Sequence, residues 1–277
     1  MSSPGVLIEP TAVGDPEGWL IVDCRHRLAD PEAGRQAWLQ ARLPGAHHLH
    51  LDRDLSGPLV PGPRGPLGGR HPLPEPQTFA ATMRSLGLSA DSRVLAYDDA
   101  GGPFAARLWW VLRWLGFGRV SVLNGGIAAW TAAGGRLSAG PSGRGPRQGD
   151  WIPRADDRWI LPPAEVADFG GTLIDSRDAD RYRGEREPLD PAPGHIPGAV
   201  NRPWRDLLDE TGRLVSVPRV PQDAAFYCGS GVTACVNLLA LASQGREDGR
   251  LFVGSWSGWL ARGGQIAVGG GPVESGS

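Results

Sequence analysis

Cys228 lies in the segment of this chain best suited to chemistry. Ala224-Ala225-Phe226-Tyr227 is a short apolar run that reads as a buried strand. It delivers the chain into Cys228-Gly229-Ser230-Gly231-Val232-Thr233, after which a helix is expected. Glycines at alternate positions let the backbone curl until successive N–H groups point inward, forming an anion nest at a helix N-terminus. A cysteine at the mouth of such a nest loses its proton well below the free value of about 8.5. The thiolate is a nucleophile, and the same N–H groups suit the outer sulfur of a persulfide. The segment by itself leaves two other readings open: a phosphate-binding loop with an incidental cysteine, and a cysteine buried at a strand end. A cysteine phosphatase is excluded, because its Cys-x5-Arg loop requires arginine where this chain has Ala234. A Walker-type loop is excluded as well, since all 28 cationic side chains are arginine.

The elements that position this loop occur twice. Trp19-Leu20-Ile21-Val22-Asp23-Cys24-Arg25 recurs as Thr172-Leu173-Ile174-Asp175-Ser176-Arg177, an apolar run ending in Asp-x-Arg. Leu43-Pro44-Gly45-Ala46 recurs as Ile196-Pro197-Gly198-Ala199, and Val94-Leu95-Ala96-Tyr97-Asp98 matches Ala225-Phe226-Tyr227-Cys228. Val122-Leu123-Asn124-Gly125-Gly126 with Trp130 matches Leu251-Phe252-Val253-Gly254-Ser255 with Trp259. Four matches in one order define a duplicated domain. Apolar strands alternate with helical stretches at 104–115 and 232–243, which predicts an α/β fold with mainly parallel central sheets flanked by helices. Domains are expected at 1–138 and 158–277, with the Gly-, Pro- and Arg-rich residues 139–157 as a linker. Residues 56–76 read as a long surface loop of the first copy, and Trp109-Trp110 as core.

Composition narrows the class. A chain of 277 residues with a formal net charge of -2 suits two globular domains, and offers no broad basic field for nucleic acid. The start Met1-Ser2-Ser3-Pro4-Gly5 lacks the basic and apolar regions of a leader, and no apolar run is long enough for a bilayer. Cys24, Cys228 and Cys235 form neither a disulfide framework nor a zinc spacing. A reducing, cytoplasmic setting is expected, without membrane or nucleic-acid partners. Cys24 and Cys235 read as packing, and Asp175 with Arg177 as an ion pair bracing the loops. His47, His48 and His50 resemble a metal cluster, but adjacent strand residues face opposite ways, so no metal is expected.

The Cys228–Thr233 loop, the doubled Asp-x-Arg and Pro-Gly-Ala segments, Gly194-His195-Ile196-Pro197-Gly198-Ala199 and the Trp259 segment together resemble the tandem rhodanese family, in its 3-mercaptopyruvate sulfurtransferase branch. The resemblance covers nearly the whole chain. It implies two rhodanese-like domains with the catalytic cysteine in the second, and a ping-pong reaction through a Cys228 persulfide. No cofactor is implied. Sulfur would come from a small-molecule donor and pass to a thiol, to cyanide or to a thioredoxin-like acceptor. Asp98 stands where the first copy would carry its cysteine, and a carboxylate cannot attack sulfane sulfur.

The resemblance also assigns roles. Gly229, Gly231, Val232 and Thr233 would line the donor's sulfur, and Arg181 would take its carboxylate through a planar fork of N–H groups. Ser230 would work with His71 and Asp52 as a proton relay. Thiosulfate-preferring relatives place two cations where this loop has neutral Gly229 and Ser230, which favours 3-mercaptopyruvate. Against this, the branch's second arginine after a Glu-Pro pair is missing: Leu189 and Asp190 follow Glu187-Pro188. Arg183 and Arg186 either compensate or are solvated charges, and the second reading is preferred. The alternatives are a thiosulfate-preferring enzyme, and a carrier that loads Cys228 once without turnover.

Overall fold

Each apolar run of the repeat becomes a short buried strand, and every pair of named strands among the described residues is parallel. The computed structural model describes residues 5–140 and 148–270, within which the chain divides into two units. The first comprises Met1–Gly57, Pro74–Asp156 and Asp209–Leu214, and the second Pro58–Leu73, Asp157–Leu208 and Val215–Ser277.

In the first unit the elements run β1 (Leu7–Ile8), β2 (Leu20–Asp23), α1 (Ala33–Gln40), β3 (His47–His48), α2 (Pro76–Ser85), β4 (Val94–Tyr97), α3 (Pro103–Trp114), β5 (Val120–Leu123) and α4 (Gly126–Ala132). Its sheet has the order β1-β5-β4-β2-β3. The second unit carries β6 (Thr172–Asp175), α5 (Ala179–Arg183), β7 (Val200–Asn201), β8 (Ala224–Tyr227), α6 (Ala234–Ser243), β9 (Arg250–Leu251) and α7 (Ser255–Ala261). Its sheet has the order β7-β6-β8-β9. Helices between parallel strands bury both faces of a sheet, which is why β4 and β8 contain no exposed residue.

The duplication extends to register and hydrogen bonds. Asp23 pairs with Tyr97 in one sheet, and Asp175 with Tyr227 in the other. Each tyrosine hydroxyl accepts the N–H that opens the Pro-Gly-Ala turn, from Leu43 at 3.2 Å and from Ile196 at 3.1 Å. Trp130 and Trp259 each donate their indole N–H to a carbonyl six residues on. Gly135 and Gly264 lie under those rings, where a methyl group would meet indole atoms at 2.3 and 2.1 Å. Trp109 and Trp110 are fully buried, as expected of core.

Two expectations about the chain between these elements change. Pro58–Leu73, read as a surface loop of the first copy, belongs to the second unit. Its Gly69, at φ +80°, approaches the start of α7 so closely that a Cβ would stand 2.4 Å from the Gly254 carbonyl oxygen. The Arg70 N–H then donates to Ser257 Oγ at 3.1 Å. Glycine serves close approach here, so Gly69 and His71 end up buried while residues 58–61, 63 and 64 stay exposed. The second change concerns 139–157. Pro141–Arg147 lie outside the described residues, but 148–156 are bound to the first unit. Trp151 is buried between Phe79 and Phe117, at ring separations of 6.5 and 5.8 Å, and Arg154 donates its N–H to the Leu115 carbonyl. An aromatic anchor therefore fixes the second half of what composition presents as linker.

Candidate active site

β8 ends at Tyr227 and places Cys228 at the C-terminal edge of a parallel sheet, the end at which α/β folds bind ligands. The loop is held from behind by α7: Trp256 and Ser257 donate their N–H groups to the Cys228 and Gly229 carbonyls at 2.9 and 3.0 Å. The Cys228 N–H in turn donates to Ser255 Oγ at 3.1 Å. With the backbone fixed on that side, the loop closes around the sulfur. The Thr233 hydroxyl and the N–H groups of Ala234, Ser230 and Val232 are directed at Sγ. α6 accordingly starts at Ala234, two residues later than the apolar pattern suggests.

Burial of Cys228 pushes its thiol pKa up, but these four donors together outweigh burial and hold it below the ordinary cysteine value. Cys24, buried in the first unit, shows the opposite. Burial and then the charges of Asp98, Asp23 and Asp54 raise its pKa far above the normal range, so that thiol stays protonated and inert. Cys235 is buried with Sγ 3.5 Å from the Gly231 carbonyl oxygen, also as packing. A pH test follows. Alkylation of Cys228, located by peptide mass, should rise with pH and level off at a midpoint below that of a free cysteine. Thr233→Val removes a donor to the thiolate and should move that midpoint to higher pH, slowing alkylation at neutral pH.

The two loop glycines prove to have different duties. Gly231 takes φ +76° and makes the curl. Gly229 has no positive φ, and its lack of a side chain admits arginines: a methyl group there would lie 2.9 Å from Arg70 Nη2, and 3.4 and 3.6 Å from Arg181 Nη2 and Nη1. Arg181, from α5, is held by Glu187 through Nε at 3.1 Å and Nη2 at 2.7 Å, with Asp190 Oδ2 3.2 Å from Nη2. Arg70 Nη1 bonds the other oxygen of Asp190. Neither Arg70 nor Asp190 is among the residues expected at the site from sequence. The available signals were the position of Arg70 beside His71, and the Leu189-Asp190 departure.

These contacts form a chain of alternating charge that starts in the sheet. Asp175, at the end of β6, receives Nε and Nη2 of Arg177, whose Nη2 also reaches the Gly194 carbonyl at 2.6 Å. Arg177 Nη1 lies 3.3 Å from Glu187, which orients Arg181. The expected Asp175–Arg177 pair is therefore present, and it supports the loop that carries the second cation. Arg183 pairs with Glu185 and Arg186 with Asp180, both on exposed surface, as solvated charges do.

Ser230 and His71 come together, with His71 Nδ1 2.7 Å from Ser230 Oγ and both residues buried. Asp52 belongs to the first unit, where its carboxylate lies 3.9 Å from His26 Nε2 and 3.9 Å from His50 Nδ1. Of the histidines at 47–50, His48 bonds the Arg25 carbonyl and His50 accepts the Asp52 N–H.

The first unit offers an internal comparison for the cysteine loop. Asp98 follows Tyr97 as Cys228 follows Tyr227, and its Oδ1 accepts the N–H groups of Ala100 and Gly102, each at 2.9 Å. Its Oδ2 accepts those of Phe104 at 2.9 Å and Ala105 at 3.0 Å. Ala100, Gly102 and Phe104 stand at the same offsets from Asp98 as Ser230, Val232 and Ala234 from Cys228. The first loop is thus a similar nest with a carboxylate inside it, differing at its fourth position, where Gly102 takes φ +98° and Val232 no positive φ.

Comparison with known proteins agrees with this geometry. The family profile described as "Rhodanese-like domain" matches residues 10–133 and again 164–262. A Pseudomonas aeruginosa protein named "Probable 3-mercaptopyruvate sulfurtransferase" is 42% identical over 258 residues, covering 87% of this chain and 89% of the relative. The thiosulfate sulfurtransferase of Gallus gallus is 30% identical over 264 residues, covering 88% and 87%. Among solved structures, the 3-mercaptopyruvate sulfurtransferase of Leishmania major superposes with a TM-score of 0.80 at 30% identity, covering 91% of this chain and 73% of that one. A tandem pair of parallel α/β units with a cysteine nest in the second defines the class, and the chain belongs to the rhodanese family. Within it, the chain is a sulfurtransferase. No helix among the described residues is long and apolar enough to cross a membrane.

Proposed function

We propose that this chain moves sulfane sulfur from 3-mercaptopyruvate to a thiol or cyanide acceptor through a persulfide on Cys228. The observation that carries this reading is the Cys228 sulfur itself, ringed by four donors that lower its pKa in a loop without a cation of its own. The Cys228 thiolate attacks the donor's sulfur, forming the S–S bond as the C–S bond breaks. The bonding pair stays on the carbon of the departing pyruvate, which must gain a proton. The thiol proton of the donor supplies it, and the Ser230–His71 pair at 2.7 Å is placed to carry it. The products are pyruvate and an anionic persulfide, which the loop N–H groups stabilise. Cyanide or a thiolate then takes the outer sulfur and restores the Cys228 thiolate. Thioredoxin-like acceptors fit the same second step.

The neutral loop favours the organic donor, because a compact dianion such as thiosulfate gains most from added positive charge. Turnover per KM should be higher with 3-mercaptopyruvate than with thiosulfate by about tenfold or more, a difference of ~1.4 kcal/mol in transition-state stabilisation. The opposite order would move the assignment to a thiosulfate-preferring enzyme. One equivalent of persulfide with no steady state would make the chain a carrier. The mass of the Cys228 peptide after donor treatment, with and without reductant, detects the bound sulfur directly.

A further inference from the structure

Among the described residues, two other than glycine take a left-handed backbone: Asp223 at φ +61° and Ser255 at φ +51°. Asp223 has an exposed side chain and precedes β8, at the end of the strand remote from Cys228. Ser255 is fully buried and opens α7, behind the nucleophile. In this conformation the Cβ of serine crowds the following carbonyl oxygen, a cost that glycine escapes. The first unit shows the unstrained choice. Gly126 opens α4 as Ser255 opens α7, at φ +56°, and a Cβ there would lie 2.0 Å from the Asp98 carbonyl oxygen. The next residue bonds the loop alike in both units. Ile127 donates its N–H to the Asp98 carbonyl at 3.1 Å, and Trp256 to the Cys228 carbonyl at 2.9 Å. Anchoring the loop to the helix therefore does not require serine. What serine adds is a hydroxyl.

That hydroxyl has a defined polarity. It donates to the Phe252 carbonyl at 3.0 Å, which leaves its lone pairs to accept the Cys228 N–H at 3.1 Å. Phe252 is itself fixed to the sheet, its N–H on the Phe226 carbonyl at 2.9 Å. The N–H and the carbonyl of Cys228 are thus both bound to the first two residues of α7. Since its proton is spent on Phe252, Ser255 acts on the sulfur through the Cys228 backbone. We propose that Ser255 is a positioning residue for sulfur transfer: it accepts backbone strain so that its hydroxyl can tie down the Cys228 N–H and keep Sγ centred among the loop's donors. This rests on Cys228 as the sulfur carrier. Strain of this kind persists where the surrounding structure enforces it, and it gathers at functional sites. A sulfur displaced from the ring loses stabilisation as thiolate and again as persulfide, so the tether affects the chemical step more than donor binding.

Ser255→Ala and Ser255→Gly test this together. Both remove the hydroxyl, but alanine keeps the strain and glycine relieves it, so the glycine variant should have the higher urea midpoint. Both should nonetheless lower kcat with 3-mercaptopyruvate by about tenfold or more, because a misplacement of about 1 Å can cost about a hundredfold. KM should stay within about twofold of the parent value. Both should also move the midpoint of Cys228 alkylation to higher pH, as donors to the thiolate are lost. Asp223→Gly, which relieves strain at the far end of β8, should leave kcat and that midpoint unchanged. A merely structural serine predicts another pattern: activity would follow stability, and the glycine variant would match the parent. Parent-like kcat and alkylation midpoint in Ser255→Gly overturn the proposal, whether or not Ser255→Ala folds. Alkylation needs no donor. Shifted midpoints in a chain whose parent transfers no sulfur would therefore retain the tether and reject the proposed activity.

Discussion

Cys228→Ser is expected to lower sulfur transfer by at least about four orders of magnitude, the scale seen when a covalent nucleophile is removed. Serine keeps the shape, but its hydroxyl stays protonated at neutral pH and oxygen cannot hold sulfane sulfur in the same exchange. Stability should change by no more than ~1–2 kcal/mol, because the residue is buried and the substitution nearly isosteric. Donor consumption followed by pyruvate release measures the first quantity, and urea denaturation the second. A variant with full turnover would remove Cys228 from the mechanism. Cys24→Ser and Cys235→Ser provide the contrast: both thiols are buried as packing, so neither change should affect the chemical step.

Arg177→Met should be the most damaging substitution for the second unit, at ~3–5 kcal/mol, the cost typical of removing one partner from a buried ion pair. The Arg177 side chain is 1% exposed, and its loss leaves Asp175, at 0%, without its cation and Glu187, at 2%, with Arg181 alone. Its guanidinium also stacks against Trp256, with Cζ 4.7 Å from the ring centre. Since domain stabilities are about 5–15 kcal/mol, a deficit of this size puts folding itself at risk. Arg205→Ala supplies the control: its pairing with Asp178 lies on exposed surface and should be worth under about 1 kcal/mol. Denaturant midpoints of the two variants decide the matter, and equal midpoints would show that the alternating chain from Asp175 to Arg70 does not support the unit.

The parallel sheets and the duplication were legible because their information is local. A strand buried on both faces reads as a continuous apolar run, and Asp-x-Arg at its end marks the point where the side chain folds back to cap the sheet edge. The cysteine loop was legible for the same reason, since strand, nucleophile, glycine curl and helix lie within ten residues. Arg70 was not. Its contact with Asp190 spans 120 positions, and no periodicity in either segment announces it. Composition was right that Pro58–Leu73 is a loop with much of its first half exposed, and it missed the unit to which the loop belongs. Gly69 lets the backbone press against α7, and beside it His71 is buried. Gly229 was read from sequence as part of the curl, whereas the room it leaves is taken by arginines whose approach the local sequence does not show.

Asp98 has a bearing beyond occupying the position that Cys228 holds in the second unit. A carboxylate presents two anionic atoms, and the first loop divides its N–H groups between them, two to each oxygen. A persulfide also presents two atoms in line, the second carrying the charge. Asp98 is therefore a tethered likeness of the loaded intermediate, built into the same polypeptide on the same scaffold. It shows a loop of this kind closed around a carboxylate between a regular strand and a regular helix. Charging and discharging Cys228 then need no refolding of the nest. The loop is a mould cast for the intermediate, and the second unit fills it only for part of each cycle.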